Sequence, residues 1–194
     1  MNLTLAAQAL WLALPVIAGG ALHIAVLRLG VLRGLASVPL DGGATLRGRR
    51  VLGENKTLRG ALVMIAATML CALAQAVVPA QATWVRSLEL LEFGRTHPLA
   101  WGALLGAGYL AGELPNSFLK RQLDIAPGAR AAGWLGVVFW LADQLDSLAG
   151  VLVFMSVVWV PPVGVVAWFV AITLVVHPAM ALVMFALGLK PRGG

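Results

Sequence analysis

Five long apolar runs, separated by short polar gaps, organise this chain. They lie at about Leu3–Leu27, Gly60–Val78, Pro98–Leu114, Ala131–Val160 and Val163–Leu189. A membrane-crossing helix needs about 20 apolar residues, and each run approaches or exceeds that length. The pattern predicts an all-α integral membrane protein of about five transmembrane helices. Pro161–Pro162 marks a tight turn between the last two. The fourth run is too long for one straight span. A span nearer Leu141–Val160 would leave Gly133–Trp140 extending beyond the membrane or lying along it.

Composition agrees with this reading and narrows it. Of 194 residues, 60% are hydrophobic and only 11% charged, too few to cover a soluble domain. One membrane domain, residues 1–194, is therefore expected. The single cysteine, Cys71, excludes an intramolecular disulfide. The net charge of +6 could suit nucleic acid, but its placement is first a topology signal, and no nucleic-acid partner is expected. Arg28, Arg33, Arg47, Arg49, Arg50, Lys56 and Arg59 fall in the first gap. Lys120, Arg121 and Arg130 fall in the third, and Lys190 and Arg192 in the tail. Only Arg86 and Arg95 fall elsewhere, so twelve of the fourteen basic residues share one side. By the positive-inside rule the N-terminus is outside and the C-terminus cytoplasmic. No basic residue precedes the first run, so a retained helix is expected rather than a cleaved signal peptide.

Gly102, Gly106, Gly108 and Gly112 give the third run two small-xxx-small spacings, the mark of close helix packing. That packing could be within the monomer or across a homodimer. Trp84, Trp134, Trp140 and Trp159 suit an aromatic belt at the interfaces.

The acids of the fourth run do not fit a passive bundle. Asp143 and Asp146, three residues apart, share one helix face. An ionised group in a span costs a few kcal/mol and usually lines a polar cavity or pairs with a partner. Glu113 ends the third run on the same side. These carboxylates form a hard oxygen set suited to Mg²⁺ rather than zinc. His23, His97 and His177 share no metal-ligand spacing; His97 and His177 precede prolines and are expected at helix ends or packed in the bundle. Lys56 and Arg59, in Gly53-Glu54-Asn55-Lys56-Thr57-Leu58-Arg59-Gly60, lie on the acids' side, as do Lys120 and Arg121. Basic donors beside carboxylate-held Mg²⁺ can neutralise a nucleoside triphosphate from both directions, with Gly53 and Gly60 giving the backbone room to approach. Two plainer readings stay open. Basic loops also orient helices and hold anionic lipids, and an Asp pair can line an ion or proton path in a transporter.

The octet from Gly53 to Gly60 resembles a loop motif of the CDP-archaeol synthases, which usually carries Trp where Leu58 stands. Gly112-Glu113-Leu114-Pro115-Asn116-Ser117-Phe118-Leu119-Lys120-Arg121, followed by Pro127-Gly128, resembles their second motif. Asp143-Gln144-Leu145-Asp146-Ser147 resembles their third and is similar to a signature of phosphatidate cytidylyltransferases. Pro39-Leu40-Asp41-Gly42-Gly43 and the segment from His177-Pro178 to Lys190 add flanking matches. The resemblance implies an enzyme of the cytoplasmic membrane that joins CTP to a lipid phosphate, giving a CDP-lipid and pyrophosphate. It implies Mg²⁺ on Asp143 and Asp146, with Glu113 as a further contact. Lys56, Thr57 and Arg59 would meet the triphosphate, Asn116 and Ser117 the substrates, and Lys120 and Arg121 the reaction centre. The family usually has Asp in place of Glu113. The alternatives are a CTP-dependent lipid kinase, which would release CDP, and an ion-coupled transporter. A CDP-alcohol phosphotransferase would need later Asp residues that are missing here.

Overall fold

In a computed structural model the described residues are 3–81, 83–91 and 96–189. Arg95, Lys190 and Arg192, counted above for topology, lie outside them. The long helices are α1 (Leu3–Leu29), α3 (Leu58–Gln81), α4 (Pro98–Gln122), α5 (Gly133–Met155) and α6 (Val163–Ala186). Between α1 and α3 come a four-residue helix, α2 (Arg33–Ala36), and a small hairpin of β1 (Thr45–Leu46) and β2 (Arg49–Arg50). This hairpin is a minor departure from the all-α expectation. A 3-10 segment, Thr83–Leu88, follows α3. Among the described residues four helices, α1, α3, α5 and α6, are long and apolar enough to cross a membrane. The protein is thus an integral membrane protein of several apolar helices.

The elements end where backbone chemistry requires. Pro98 opens α4 at a position where its missing N–H is no loss, with His97 as the helix N-cap. The fourth apolar run reaches Val160, but α5 stops at Met155. Pro161 disfavours helical geometry at Val160, and Ser156 closes the last turn by donating its hydroxyl to Leu152 O at 2.7 Å. Residues 133–140 belong to the same continuous helix as the acids. The third run ends at Leu114 by hydropathy, whereas α4 continues to Gln122 because its polar residues face protein.

The helices pack in a ring: α1 against α3 and α6, α3 against α4, α4 against α5, and α5 back onto α6. Apolar packing concentrates at one end, where Trp101, Leu105, Met155 and Val165 are buried. The α1 N-terminal region lies there too, since Gln8 Nε2 donates to Ser87 O at 2.9 Å. At the opposite end the hairpin meets the end of α4: Arg49 bonds Gln122 O and Asp124, and Gln122 Nε2 donates to Arg50 O at 3.2 Å. The two most basic gaps therefore share one end of the bundle, as the charge pattern predicts. Trp84 and Trp134 are exposed, while Trp159 packs against the apolar core.

Candidate active site

Close helix approach builds the site. A Cβ added at Gly102 or Gly106 would strike the α3 backbone. One at Gly112 would lie 2.2 Å from Asp146 O, and one at Gly150 would lie 2.1 Å from Gly108 O. The glycine spacings of α4 are thus used within the chain, on two faces at once. Backbone contact of α4 with α5 leaves their side chains no choice but to meet. Tyr109, Glu113, Asn116 and Lys120 form a stripe at i, i+4, i+7 and i+11 along α4, opposite Asp143, Asp146 and Ser147 on α5.

Asn116 is buried, and its Nδ2 donates to Asp143 Oδ1 and Asp146 Oδ2, each at 2.7 Å. Lys120 Nζ pairs with both oxygens of Asp143, at 2.6 Å to Oδ2, and sits 5.5 Å from the Phe139 ring centroid. The Ser147 backbone N–H donates to Asp146 Oδ1 at 2.6 Å. Glu113 pairs with Lys56 and is hydrogen-bonded by Tyr109, which also bonds Ser147. Among the described residues no three His, Cys, Asp or Glu side chains are grouped to hold a metal ion; an amide bridges the carboxylate pair instead. That pair still fits Mg²⁺, which commonly takes one or two protein carboxylates and fills its other positions with water and substrate phosphate.

The basic residues arrive on a shaped loop. Pro39 bridges Thr57, Leu40 N donates to Lys56 O at 2.9 Å, and Leu58 N to Val38 O at 2.8 Å. This pins Lys56 at the mouth of the seam. Thr57 Oγ1 accepts from Gly60 N at 3.3 Å and caps α3. Asp41 anchors the loop from behind. Its carboxylate accepts from Arg50 Nη2 at 2.8 Å, Leu52 N at 2.8 Å and Gly43 N at 3.0 Å. Gly42 and Gly43, at φ +59° and +83°, supply the left-handed turn this requires. Burial alone would raise the Asp41 carboxyl, but its donors outweigh it and hold the group below the ordinary carboxylate value.

Arg121 is buried, with Nε and Nη1 unpartnered, and Arg59 Nε is likewise buried and unpartnered. Such donors suit an anion. Ser117 lies one residue from Asn116 on the same helix and is half-buried. Gly53 and Gly60 admit side chains of the protein itself: a Cβ at Gly53 would meet Asn55 Oδ1 at 2.4 Å and Arg121 Nη1 at 3.3 Å, and one at Gly60 would meet His23 Cε1 at 3.1 Å. His23 is a site neighbour that sequence reasoning missed, since it lies within electrostatic range of Glu113, Arg59 and Lys56. Tyr109 is another. His177 packs inside α6, with Nδ1 3.1 Å from Gln144 Oε1.

A family model described as CarS-like CDP-archaeol synthase matches residues 2–192. The CDP-archaeol synthase of Methanosphaerula palustris is 32% identical over 162 residues, covering 78% of this chain and 87% of that protein. That of Halorubrum lacusprofundi is 33% identical, covering 78% and 81%. A solved structure described as "Structural insight into an intramembrane enzyme for archaeal membrane lipids biosynthesis" is 29% identical, with a TM-score of 0.59, covering 88% of this chain and 90% of that one. Matched by the family model over residues 2–192 and in fold over 88% of its length, this chain belongs to the CDP-archaeol synthase family.

Proposed function

We propose that this chain transfers the cytidylyl group of CTP to a lipid phosphate, as part of phospholipid biosynthesis, at a site between α4 and α5. Family membership supports the reaction, and the Asn116-bridged Asp pair beside Lys56 and Lys120 is the observation that supports this location. A lipid-phosphate oxygen attacks the α-phosphorus of CTP. The bond from that phosphorus to the α–β bridging oxygen breaks, and pyrophosphate leaves. A phosphate monoester is already ionised near neutral pH, so the step requires no general base, and positioning with charge stabilisation carries it.

Asp143 and Asp146 would hold Mg²⁺, which when bound offsets charge on the triphosphate. Lys56 and Arg59 contact the triphosphate, with Thr57 fixing the loop that carries them. Ser117, Lys120 and Arg121 hold phosphate at the reaction centre. Lys56 pairs with Glu113 and Lys120 with Asp143, so each ammonium is seated on a carboxylate at the site. Glu113 thus acts first as the seat of Lys56, with a metal contact as its second use. Five helices span the cytoplasmic membrane, N-terminus outside, and the basic end of the bundle faces the cytoplasm. CTP then enters from water while the lipid chains stay in the bilayer.

The test is detergent-solubilised protein with Mg²⁺, a panel of lipid phosphates and CTP labelled at the α-phosphate. Label in lipid together with released pyrophosphate is the expected result. Release of CDP with phosphorylated lipid would identify a kinase instead, and no turnover of CTP by folded protein would overturn the reading.

A further inference from the structure

The Asn116 amide uses one end twice and the other end not at all. Its nitrogen donates to both acids at 2.7 Å. Its oxygen, in a side chain 8% exposed, has no partner. A buried acceptor left unsatisfied costs about 1–3 kcal/mol. The amide end that meets both acids is also within reach of any cation the two carboxylates would share, since octahedral Mg²⁺ with bonds of about 2.0–2.1 Å keeps adjacent ligand atoms about 2.9 Å apart.

We propose that Asn116 is a ligand of the divalent cation through its side-chain oxygen, and that cation binding is coupled to a half-turn of its amide. Without a cation, two carboxylates side by side need a donor between them, and Nδ2 supplies it. With a cation between them, an oxygen is needed instead. A turn of the side chain that brings Oδ1 beside Asp143 Oδ1 and Asp146 Oδ2 makes it the third protein oxygen and takes it out of its partnerless position. Two carboxylates and one amide oxygen form a hard set with net charge −2, leaving positions for water and triphosphate. The inference deepens the cytidylyl-transfer reading and rests on it for the presence of a cation. The rival role is a purely structural clip between α4 and α5.

Binding distinguishes the two. Mn²⁺ is titrated by electron paramagnetic resonance into the detergent-solubilised full chain, with a CTP analogue carrying a methylene α–β bridge. Asn116→Ala should weaken Mn²⁺ binding about tenfold or more, in the range typical of groups that support a metal site. Asn116→Asp keeps an oxygen and should bind Mn²⁺ at least as tightly as wild type. Asn116→Cys should favour Cd²⁺ over Mn²⁺ and show a cadmium–thiolate ultraviolet band that is absent from wild type, whose one thiol is Cys71. Wild-type Mn²⁺ affinity in Asn116→Ala, with unchanged metal preference in Asn116→Cys, would overturn the ligand role and leave cytidylyl transfer standing. If the alanine variant fails to fold, the aspartate and cysteine variants decide the question alone. Wild-type protein that binds no divalent cation would overturn both the inference and the cation assignment beneath it.

Discussion

Helix α5 has two neighbours of nearly equal length, α4 with 25 residues and α6 with 24, and it meets them in opposite ways. Against α4 it presents glycine and carboxylate, backbone touches backbone, and buried polar groups are paired across the seam. Against α6 it presents mainly aliphatic side chains, with Gln144 meeting His177. Only Val165 and Phe169 of α6 are buried. Without water in the bilayer, tight association comes from small residues and polar contacts, while an aliphatic face is as content with lipid as with protein. The proposed chemistry therefore falls on the seam where size and hydrogen bonding are fixed together, and α6 forms mainly an outer wall.

The sharpest way to break the comparison is at the acids. Asp146→Asn or Asp143→Asn should lower kcat/KM for CTP by roughly 10²–10³-fold in protein that still inserts, the scale of losing preorganised charge stabilisation. Activity within tenfold of wild type would remove these residues from the site. Next in size is Gly150→Val. Overpacking typically costs about 1–3 kcal/mol, and here the clash is with Gly108 O and Gly112, so melting temperature and activity should fall together. Lys56→Met should then raise KM for CTP about tenfold to a hundredfold, as expected for loss of a hydrogen bond involving a charged group worth about 1.5–3 kcal/mol. A change confined to kcat would move Lys56 away from triphosphate binding.

Asp41→Asn tests the loop apart from the seam. Its folded-state pKa is depressed, so its contribution is present in full above about pH 4 and fades as pH falls through the lower folded value. Thermal melts from pH 7 downward should show wild type converging on the variant below that range. At the smallest end, Val175→Ala on the exposed face of α6 should change stability by no more than about 0.5 kcal/mol and leave transfer unchanged.

The long apolar helices, the basic gaps between them and the shared face of Asp143 and Asp146 were legible in the sequence because each has a local signature. Hydropathy marks a span, Arg and Lys mark a gap, and three residues between acids mark one helix face. What escaped depends on distant partners. His23 sits in an unbroken apolar run, and only the absence of a Cβ at Gly60 brings α3 against it. Asp41 gains its role when the hairpin returns Arg50 and the Leu52 N–H to it. The bridge from Asn116 to Asp143 and Asp146 spans 27 and 30 residues of sequence, and no spacing rule anticipates it. The ends of α4 and α5 differ from the hydropathy runs for opposite reasons. A polar face turned toward another helix carries α4 on to Gln122, whereas the proline pair after Val160 stops α5 at Met155 although the apolar run continues.

Arg49 reaching Gln122 and Asp124 has a consequence for how the protein is made. When α1 and the hairpin leave the ribosome, the residues they will hold are still more than 70 positions away. Lys56 must then wait for Glu113, and Asn116 for the acids of α5. A chain at 5–20 residues per second supplies these partners only seconds later. The first two long helices thus enter the membrane as an unfinished half, and a nascent chain halted before residue 143 would carry every cation of the site with neither seam aspartate.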